Sequence, residues 1–117
     1  MGHLIEGRWH PGPPTTTGKD GRYVRTQSPF RNWVTPDGSP GPSGTGGFAA
    51  EAGRYHLYVS LACPWAHRTL LFRRLKDLEH VIGLSVVSPK MPDETGWTFT
   101  LEGSTGDPGN GARHLSD

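Results

Sequence analysis

The stretch that decides the fold runs from residue 54 to residue 89 and reads RYHLYVSLACPWAHRTLLFRRLKDLEHVIGLSVVSP. It opens with RYHLYVS, a β-branched and aromatic run without breakers, which is typical of a buried strand. Pro64 suits the first helical position, because proline loses no hydrogen bond there and its fixed φ is already helical. The helix is predicted to end near Leu78, and VIGLSVV follows as a second strand. The sequence therefore predicts a βαβ unit with parallel strands.

Apolar spacing predicts which side of each element meets the core. The leucines of the predicted helix recur near helical spacing and are expected to face the sheet: Leu70, Leu71, Leu75 and Leu78. The basic residues between them are expected to face solvent: Arg73, Arg74 and Lys76. In the second strand, alternate apolar residues are expected to share one face: Ile82, Leu84 and Val86.

The first half of the chain has a different composition. Residues 36–47, PDGSPGPSGTGG, are mostly glycine and proline, which predicts a loop or linker. Before it, residues 22–34 interleave arginines, including Arg25, with aromatic side chains. Such a mixture can stack on nucleic acid, but an extended arm packed on another part of the fold is the favoured interpretation. We therefore predict an irregular arm and linker over residues 1–50 and a partial α/β domain over residues 51–117.

Charge and apolar content exclude several classes of protein. Twelve Lys and Arg against eleven Asp and Glu give a net charge of +1, without the basic cluster that nucleic acid requires. The N-terminus lacks the apolar core of a secretory leader, and no apolar run is long enough to span a membrane. The single cysteine fits a reducing compartment, so we expect a cytoplasmic protein.

Two predicted strands do not make a stable sheet. Beyond Met91 the chain again has a loop-like composition, and further strands are needed to cover the helix and the sheet. With so little core, the area buried does not comfortably offset the entropy of ordering the chain. We therefore expect an incomplete domain.

Cys63 lies directly before Pro64, at the predicted N-cap of the helix. Unsatisfied N–H groups and the positive end of the helix dipole favour an anion at this position, and cysteines at helix N-termini have pKa values lowered from about 8.5 to as little as ~3.5. The alternative is a buried, inert thiol at a strand-to-helix junction. A reactive thiol here has no second cysteine to resolve a mixed disulfide, so an external thiol is needed, most simply glutathione.

Other residues near this position allow more than one interpretation. His56 is expected to be a hydrogen-bonded core histidine, and His67 a solvated one, rather than catalytic bases. No metal site is expected, because Cys63 and His67 alone make a weak ligand set. Trp97 either stacks on a peptide-like ligand or packs at the sheet edge, and the residues alone do not choose between the two.

Most of the chain resembles one known family. The stretch GGFAAEAGRYHLYVSLACPWAHRTLLFRRLKDLE, followed by SVVSPKM and GWTF, resembles the glutathionyl-hydroquinone reductases, the Xi class of glutathione transferases. The arm, YVRTQSPFRNW, and the tail, TGDPGNGARHL, resemble the same family. The similarity covers nearly all 117 residues.

The resemblance implies a fold, a reaction and roles for two residues. It implies a thioredoxin-like domain followed by a helical domain, in a protein that is usually dimeric and reduces glutathionyl-hydroquinones to hydroquinones. Cys63 would be the nucleophile, and would carry a mixed disulfide until a second glutathione released it. Trp97 would lie against bound glutathione. Glutathione would be the co-substrate, and no metal is implied.

This chain also departs from the family pattern. It ends at Asp117, before the family's cis-proline segment, its Glu-Ser pair and its helical domain. We therefore expect an N-terminal fragment that is poorly folded and has little activity alone. Two other interpretations stay open: an Omega-like thiol transferase or dehydroascorbate reductase, which also uses a single cysteine before proline, and a non-catalytic truncated remnant.

Overall fold

The structure is a computed structural model that describes residues 2–13, 17–24 and 27–117. The described residues group into two compact units. The larger contains residues 2–13 and 53–117, and the smaller contains residues 17–24 and 27–52. This differs from the arm predicted over residues 1–50, because the first residues of the chain group with the α/β part.

The larger unit begins with a hairpin that the sequence analysis did not predict. Strand β1 (His3–Ile5) pairs antiparallel with strand β2 (Arg8–His10). The two residues between them, Glu6 and Gly7, have φ values of 49° and 76°. A two-residue turn with positive φ at both positions is of type I′, whose twist matches that of the flanking strands.

The smaller unit is built on a short parallel pair, β3 (Trp33–Thr35) and β4 (Gly47–Ala49). Residues 36–46 connect the two strands without helix or strand, so the loop predicted over residues 36–47 is confirmed except at Gly47, which begins β4. Within this loop the Asp37 carboxylate accepts the N–H and the hydroxyl of Ser39 at 3.0 and 2.6 Å.

The aromatic residues of the predicted arm are largely exposed. Tyr23 has 74% of its surface exposed and Phe30 has 90%. Arg25, which the sequence analysis grouped with them, lies outside the described residues.

The predicted βαβ unit is confirmed. Strand β5 (Tyr55–Ser60) leads into helix α1 (Pro64–Leu75), and strand β6 (Ile82–Val87) returns beside β5 in parallel. The buried apolar residues come from the ends of these strands and the segment after them: Val59, Val86, Val87 and Phe99.

Helix α1 ends at Leu75, three residues before the predicted end. Asp77 has a φ of 52°, in the left-handed region. The N–H of Asp77 donates to the carbonyl of Arg74 at 3.1 Å, and the N–H of Leu78 donates to that of Arg73 at 2.9 Å. These two bonds form a Schellman motif, which satisfies the last helical carbonyls and stops the helix.

The predicted orientation of the helix is wrong in part. Leu71 and Leu75 are 48% and 75% exposed, whereas the side chain of Arg73 is only 12% exposed. The Arg73 guanidinium donates to the carbonyl of Ile82 at 2.9 and 2.7 Å and to that of Glu79 at 3.1 Å. Backbone acceptors at the start of β6 therefore draw this arginine inward.

After β6 the chain is irregular, as its composition predicts. One antiparallel bridge joins Thr98 to His114, and the N–H of Ser88 donates to the carbonyl of Thr98 at 2.9 Å. This segment therefore packs along β6. The described part of the chain has no helix with the length and apolar character to cross a bilayer.

Candidate functional site

Cys63 is the N-cap residue of helix α1. Its backbone is extended, with φ −95° and ψ 114°, and Pro64 follows at the first helical position. Its N–H donates to the carbonyl of Ser60 at 3.1 Å, and its own carbonyl accepts the N–H of His67 at 3.1 Å. The thiol makes no capping hydrogen bond, and the residue is half-buried. The structure thus places Cys63 where the sequence analysis predicts it.

Helix α1 offers its first turn to an anion. No acidic residue lies in that turn, so no neighbouring carboxylate competes for the N-terminal N–H groups. Trp65 is 69% exposed, and the guanidinium of Arg68 lies 4.7 Å from the centre of its ring. His67 is exposed, as predicted.

His56 is hydrogen-bonded as predicted, but it does not lie in the core. Its Nε2 lies 2.8 Å from the hydroxyl of Ser85, yet the residue is exposed. The ring covers Gly83, where an added Cβ would approach Nδ1 of His56 to 2.4 Å. A glycine opposite His56 therefore lets the imidazole lie over the outer face of the sheet.

Trp97 is half-buried beside the N-terminal hairpin. With Leu4, Trp9 and Leu115 it lines a cavity of about 130 Å³. Trp9 also contacts the loop before Trp97, because its Nε1 donates to the carbonyl of Asp93 at 2.9 Å. Both interpretations of Trp97 thus remain predictions.

The two predicted site residues, Cys63 and Trp97, lie in the same unit. Among the described residues, no hydrogen bond or ring contact joins Cys63 to Trp97. Cys63 begins the helix, and Trp97 lies in the segment that follows β6. Any ligand that meets both residues must bridge two separate elements.

Sequence reasoning missed a polar cluster that joins these parts of the unit. The hydroxyl of Tyr58, on β5, donates to Asp107 Oδ1 at 3.1 Å and accepts from the side-chain amide of Asn110 at 3.2 Å. Tyr58 and Asp107 also line a cavity of about 360 Å³ with Phe99 and His114. The Asp-Pro-Gly-Asn sequence signals a turn, but nothing local signals a partner 49 residues away.

The pKa values of Tyr58 and Asp107 are shifted in opposite directions. Burial raises the pKa of Tyr58, and its hydrogen bond to Asp107 raises it further. Burial alone would raise the pKa of Asp107, but N–H donors, first that of Ala112, and the Tyr58 hydroxyl lower it below its usual value. Near neutral pH the cluster therefore pairs a neutral phenol with an ionised carboxylate.

The described residues show no cluster of three or more His, Cys, Asp or Glu side chains that could hold a metal ion. The prediction that the site uses no metal stays a prediction.

Comparison with known proteins places these features in a family. No protein-family model matches the chain. The chain is 60% identical over 109 residues to the glutathionyl-hydroquinone reductase YqjG of Escherichia coli, a match that covers 92% of this chain and 33% of that protein. It is 44% identical to the glutathionyl-hydroquinone reductase PcpF of Sphingobium chlorophenolicum over 85% of this chain and 28% of that protein. It is 50% identical to the glutathione S-transferase omega-like 2 of Schizosaccharomyces pombe over 77% of this chain and 26% of that protein.

Solved structures agree with these relatives. A Xi-class glutathione transferase from Natrialba magadii is 46% identical and superposes with a TM-score of 0.75, over 99% of this chain and 34% of that one. The chain belongs to the Xi-class glutathione transferase family. The glutathione-bound structure of the Escherichia coli transferase homologue YqjG is 62% identical, with a TM-score of 0.67, over 74% of this chain and 28% of its own.

Membership of the Xi class explains the small sheet. Strands β5 and β6 and helix α1 form part of a thioredoxin-like domain, and the chain spans about a third of the length of the relatives it matches. The helical C-terminal domain implied by the resemblance is not among the described residues.

Proposed function

We propose that this Xi-class chain carries the nucleophile of a glutathionyl-hydroquinone reductase, and that Cys63 is that nucleophile. The observation that carries the proposal is the placement of the thiol: Cys63 caps a helix that begins with Pro64, and its sulfur is not used in a capping hydrogen bond. Two relatives that bear the reductase name support the reaction class.

The reaction balances with thiols alone. The Cys63 thiolate attacks the glutathione sulfur of the conjugate, the new S–S bond forms as the bond from sulfur to the ring breaks, and the ring carbon takes a proton. The hydroquinone then leaves. A second glutathione thiolate attacks the glutathione sulfur of the mixed disulfide, which releases oxidised glutathione and restores the Cys63 thiolate. The conjugate is reduced by two electrons.

Trp97 is proposed to contact the bound glutathione. Its half-buried position on the segment after β6 and the small apolar cavity beside it suit an indole that offers one face to a peptide-like ligand. Solved relatives bind glutathione, which supports glutathione as the co-substrate here.

Turnover tests the substrate class. A fusion of this chain to the part of the Escherichia coli relative that it does not match supplies the two thirds of that protein's length that this chain does not span. We expect the fusion to release menadiol from glutathionyl-menadione in the presence of glutathione, and the same fusion with Cys63→Ser to be inactive. A fusion that folds and binds glutathione but releases no hydroquinone would contradict the proposal.

A second candidate function is that of an Omega-like thiol transferase or dehydroascorbate reductase. The fission yeast relative with an omega-like name, 50% identical to this chain, favours it. The same Cys63 chemistry would serve both functions, so the substrate decides between them. Faster reduction of dehydroascorbate than of glutathionyl-menadione by the fusion would favour this candidate.

Two further properties follow from the resemblance and are proposed with it. The complete protein is proposed to act as a homodimer in the cytoplasm. The single cysteine supports a reducing compartment, because it allows no internal disulfide.

A further inference from the structure

Asp107 organises a tight turn late in the larger unit. Its Oδ1 accepts the N–H of Gly109 at 3.2 Å, and its Oδ2 accepts the N–H of Ala112 at 3.3 Å. Its main-chain carbonyl also accepts the N–H of Gly111 at 3.0 Å. Because one residue holds the turn from its start to its end, a change at Asp107 alters where residues 113–115 begin.

The segment that leaves this turn pairs with Trp97 and its neighbours. The N–H of Leu115 donates to the carbonyl of Trp97 at 2.8 Å, and the N–H of Phe99 donates to the carbonyl of Arg113 at 2.9 Å. The segment that follows the turn held by Asp107 is therefore hydrogen-bonded directly to the Trp97 backbone.

Tyr58 ties the same turn to strand β5. Its hydroxyl donates to Asp107 Oδ1 at 3.1 Å and accepts from the amide of Asn110 at 3.2 Å. Its ring meets Phe99 edge-on, with the ring centres 6.2 Å apart. Tyr58 thus contacts the turn through its hydroxyl and Phe99 through its ring.

The two ends of this connection lead to the two proposed site residues. Strand β5 ends at Ser60, whose carbonyl accepts the N–H of Cys63 at 3.1 Å. Tyr58 therefore lies on β5, the strand whose last residue is hydrogen-bonded to Cys63. We propose that the hydrogen bond between Tyr58 and Asp107 is a positioning clamp, which sets the spacing between the thiol and the Trp97 indole that a glutathione must bridge. The inference rests on the proposed roles of Cys63 and Trp97.

The charge state of the pair fits a clamp at neutral pH. Hydrogen bonds hold the pKa of Asp107 below its ordinary value, and burial together with the bond to Asp107 holds the pKa of Tyr58 above its own. The phenol therefore keeps its proton and the carboxylate stays ionised, so the bond is charge-assisted.

Two disulfide reagents, one large and one small, distinguish a positioning role of Tyr58 from a general effect on stability. In the fusion to the Escherichia coli relative described above, mixed-disulfide formation at Cys63 is followed by the mass of the Cys63 peptide, with oxidised glutathione and, separately, with 2-hydroxyethyl disulfide. Of the two reagents, only oxidised glutathione is large enough to contact Trp97 while it reacts with Cys63. We expect Tyr58→Phe, which removes one hydroxyl, to slow the glutathione reaction about three- to tenfold and to change the small-disulfide reaction by less than about twofold.

Tyr23 provides the control for the loss of a tyrosine hydroxyl. Tyr23→Phe removes a hydroxyl from the smaller unit and is expected to change neither rate. Asp107→Asn tests the other partner and also serves if Tyr58→Phe does not fold. Asp107→Asn weakens the bond to Tyr58 and also replaces one of the two oxygens that accept N–H groups of the turn. The double variant should therefore be little slower than Asp107→Asn alone, because the bond that Tyr58→Phe removes is already weakened there.

Each outcome decides one claim. If Tyr58→Phe and Asp107→Asn react with oxidised glutathione at the wild-type rate, or if they slow both disulfides equally, the clamp is overturned while the role of Cys63 stands. If the wild-type fusion itself reacts no faster with oxidised glutathione than with 2-hydroxyethyl disulfide, the proposed glutathione site fails, and the clamp fails with it.

Discussion

Gly96 allows the left-handed backbone conformation directly before Trp97. Its φ is 69°, and an added Cβ would lie 2.7 Å from Cη2 of Trp9. We expect Gly96→Ala to cost about 1 kcal/mol for the left-handed backbone and about 1–3 kcal/mol more for the clash with the Trp9 ring. The measurement is the free energy of unfolding in urea.

Gly106 provides the matched control for this substitution. Its φ is 74°, but no atom lies within 4 Å of an added Cβ. Gly106→Ala should therefore cost only the backbone part, about 1 kcal/mol. Equal losses in the two variants would show that the Trp9 ring does not constrain the backbone at Gly96.

The end of helix α1 gives a prediction at the scale of an element. Asp77 holds a left-handed φ of 52° after the helix, where glycine is favoured and where a carboxylate opposes the helix dipole. Asp77→Gly should raise the free energy of unfolding by about 0.5–1 kcal/mol, and Asp77→Ala should lower it. Urea unfolding of the three chains checks this order, and a stabilising alanine would contradict the strain at Asp77.

The contact between α1 and β6 gives a second prediction at this scale. Arg73→Met removes the donors to the Ile82 carbonyl and should cost about 1–3 kcal/mol, because a half-buried acceptor loses its partner. Arg74→Met is the control, since the Arg74 side chain is 75% exposed and its ion pair with Glu79 is worth less than about 1 kcal/mol. Similar costs for the two variants in urea unfolding would show that Arg73 does not support the contact.

Local sequence predicted the elements better than their contacts. The apolar run of β5, the proline at position 64 and the apolar run of β6 were enough for the strand-helix-strand order, because these are local preferences. The exposed Leu71 and Leu75 and the inward Arg73 were not predictable. Helical spacing groups side chains into faces, but it does not show that backbone acceptors beyond the helix, at Glu79 and Ile82, draw Arg73 inward.

The pH dependence of stability belongs to the whole molecule. Three carboxylates have lowered pKa values: Asp37 through bonds from Ser39, Asp117 through the N–H of His114, and Asp107 through donors that outweigh its burial. A lowered folded-state pKa adds stability that is present above the unfolded value, about 4, and is lost as the pH falls through the folded value.

We therefore expect the urea midpoint to be flat near neutral pH and to fall below about pH 4. Asp107→Asn should reduce this fall, because an amide cannot titrate. Burial and the bond to Asp107 raise the pKa of Tyr58, so its contribution is present below about pH 10 and is lost as the pH rises through the folded value. A midpoint that rises on acidification would contradict the carboxylate assignments.

The candidate site as a whole was only half predictable. Cys63 was found because its neighbours in sequence define its place at the helix start. The link between Tyr58 and Asp107 spans 49 residues, and no local pattern reveals it. The contact between Trp9 of the hairpin and the backbone near Trp97 was likewise not predicted. The hairpin belongs to the larger unit, but the whole smaller unit separates it in sequence from the rest of that unit.

We propose that folding activates Cys63 toward glutathione disulfides. The test compares the folded fusion with the same fusion unfolded in urea, both mixed with oxidised glutathione at neutral pH and followed by the mass of the Cys63 peptide. Cys63→Ser, which has no thiol at this position, gives the blank. We predict one glutathione adduct that forms at least about tenfold faster in the folded chain, because only the folded helix offers its N-terminus to the thiolate. An unmodified folded chain, or equal rates in the two states, would contradict the account.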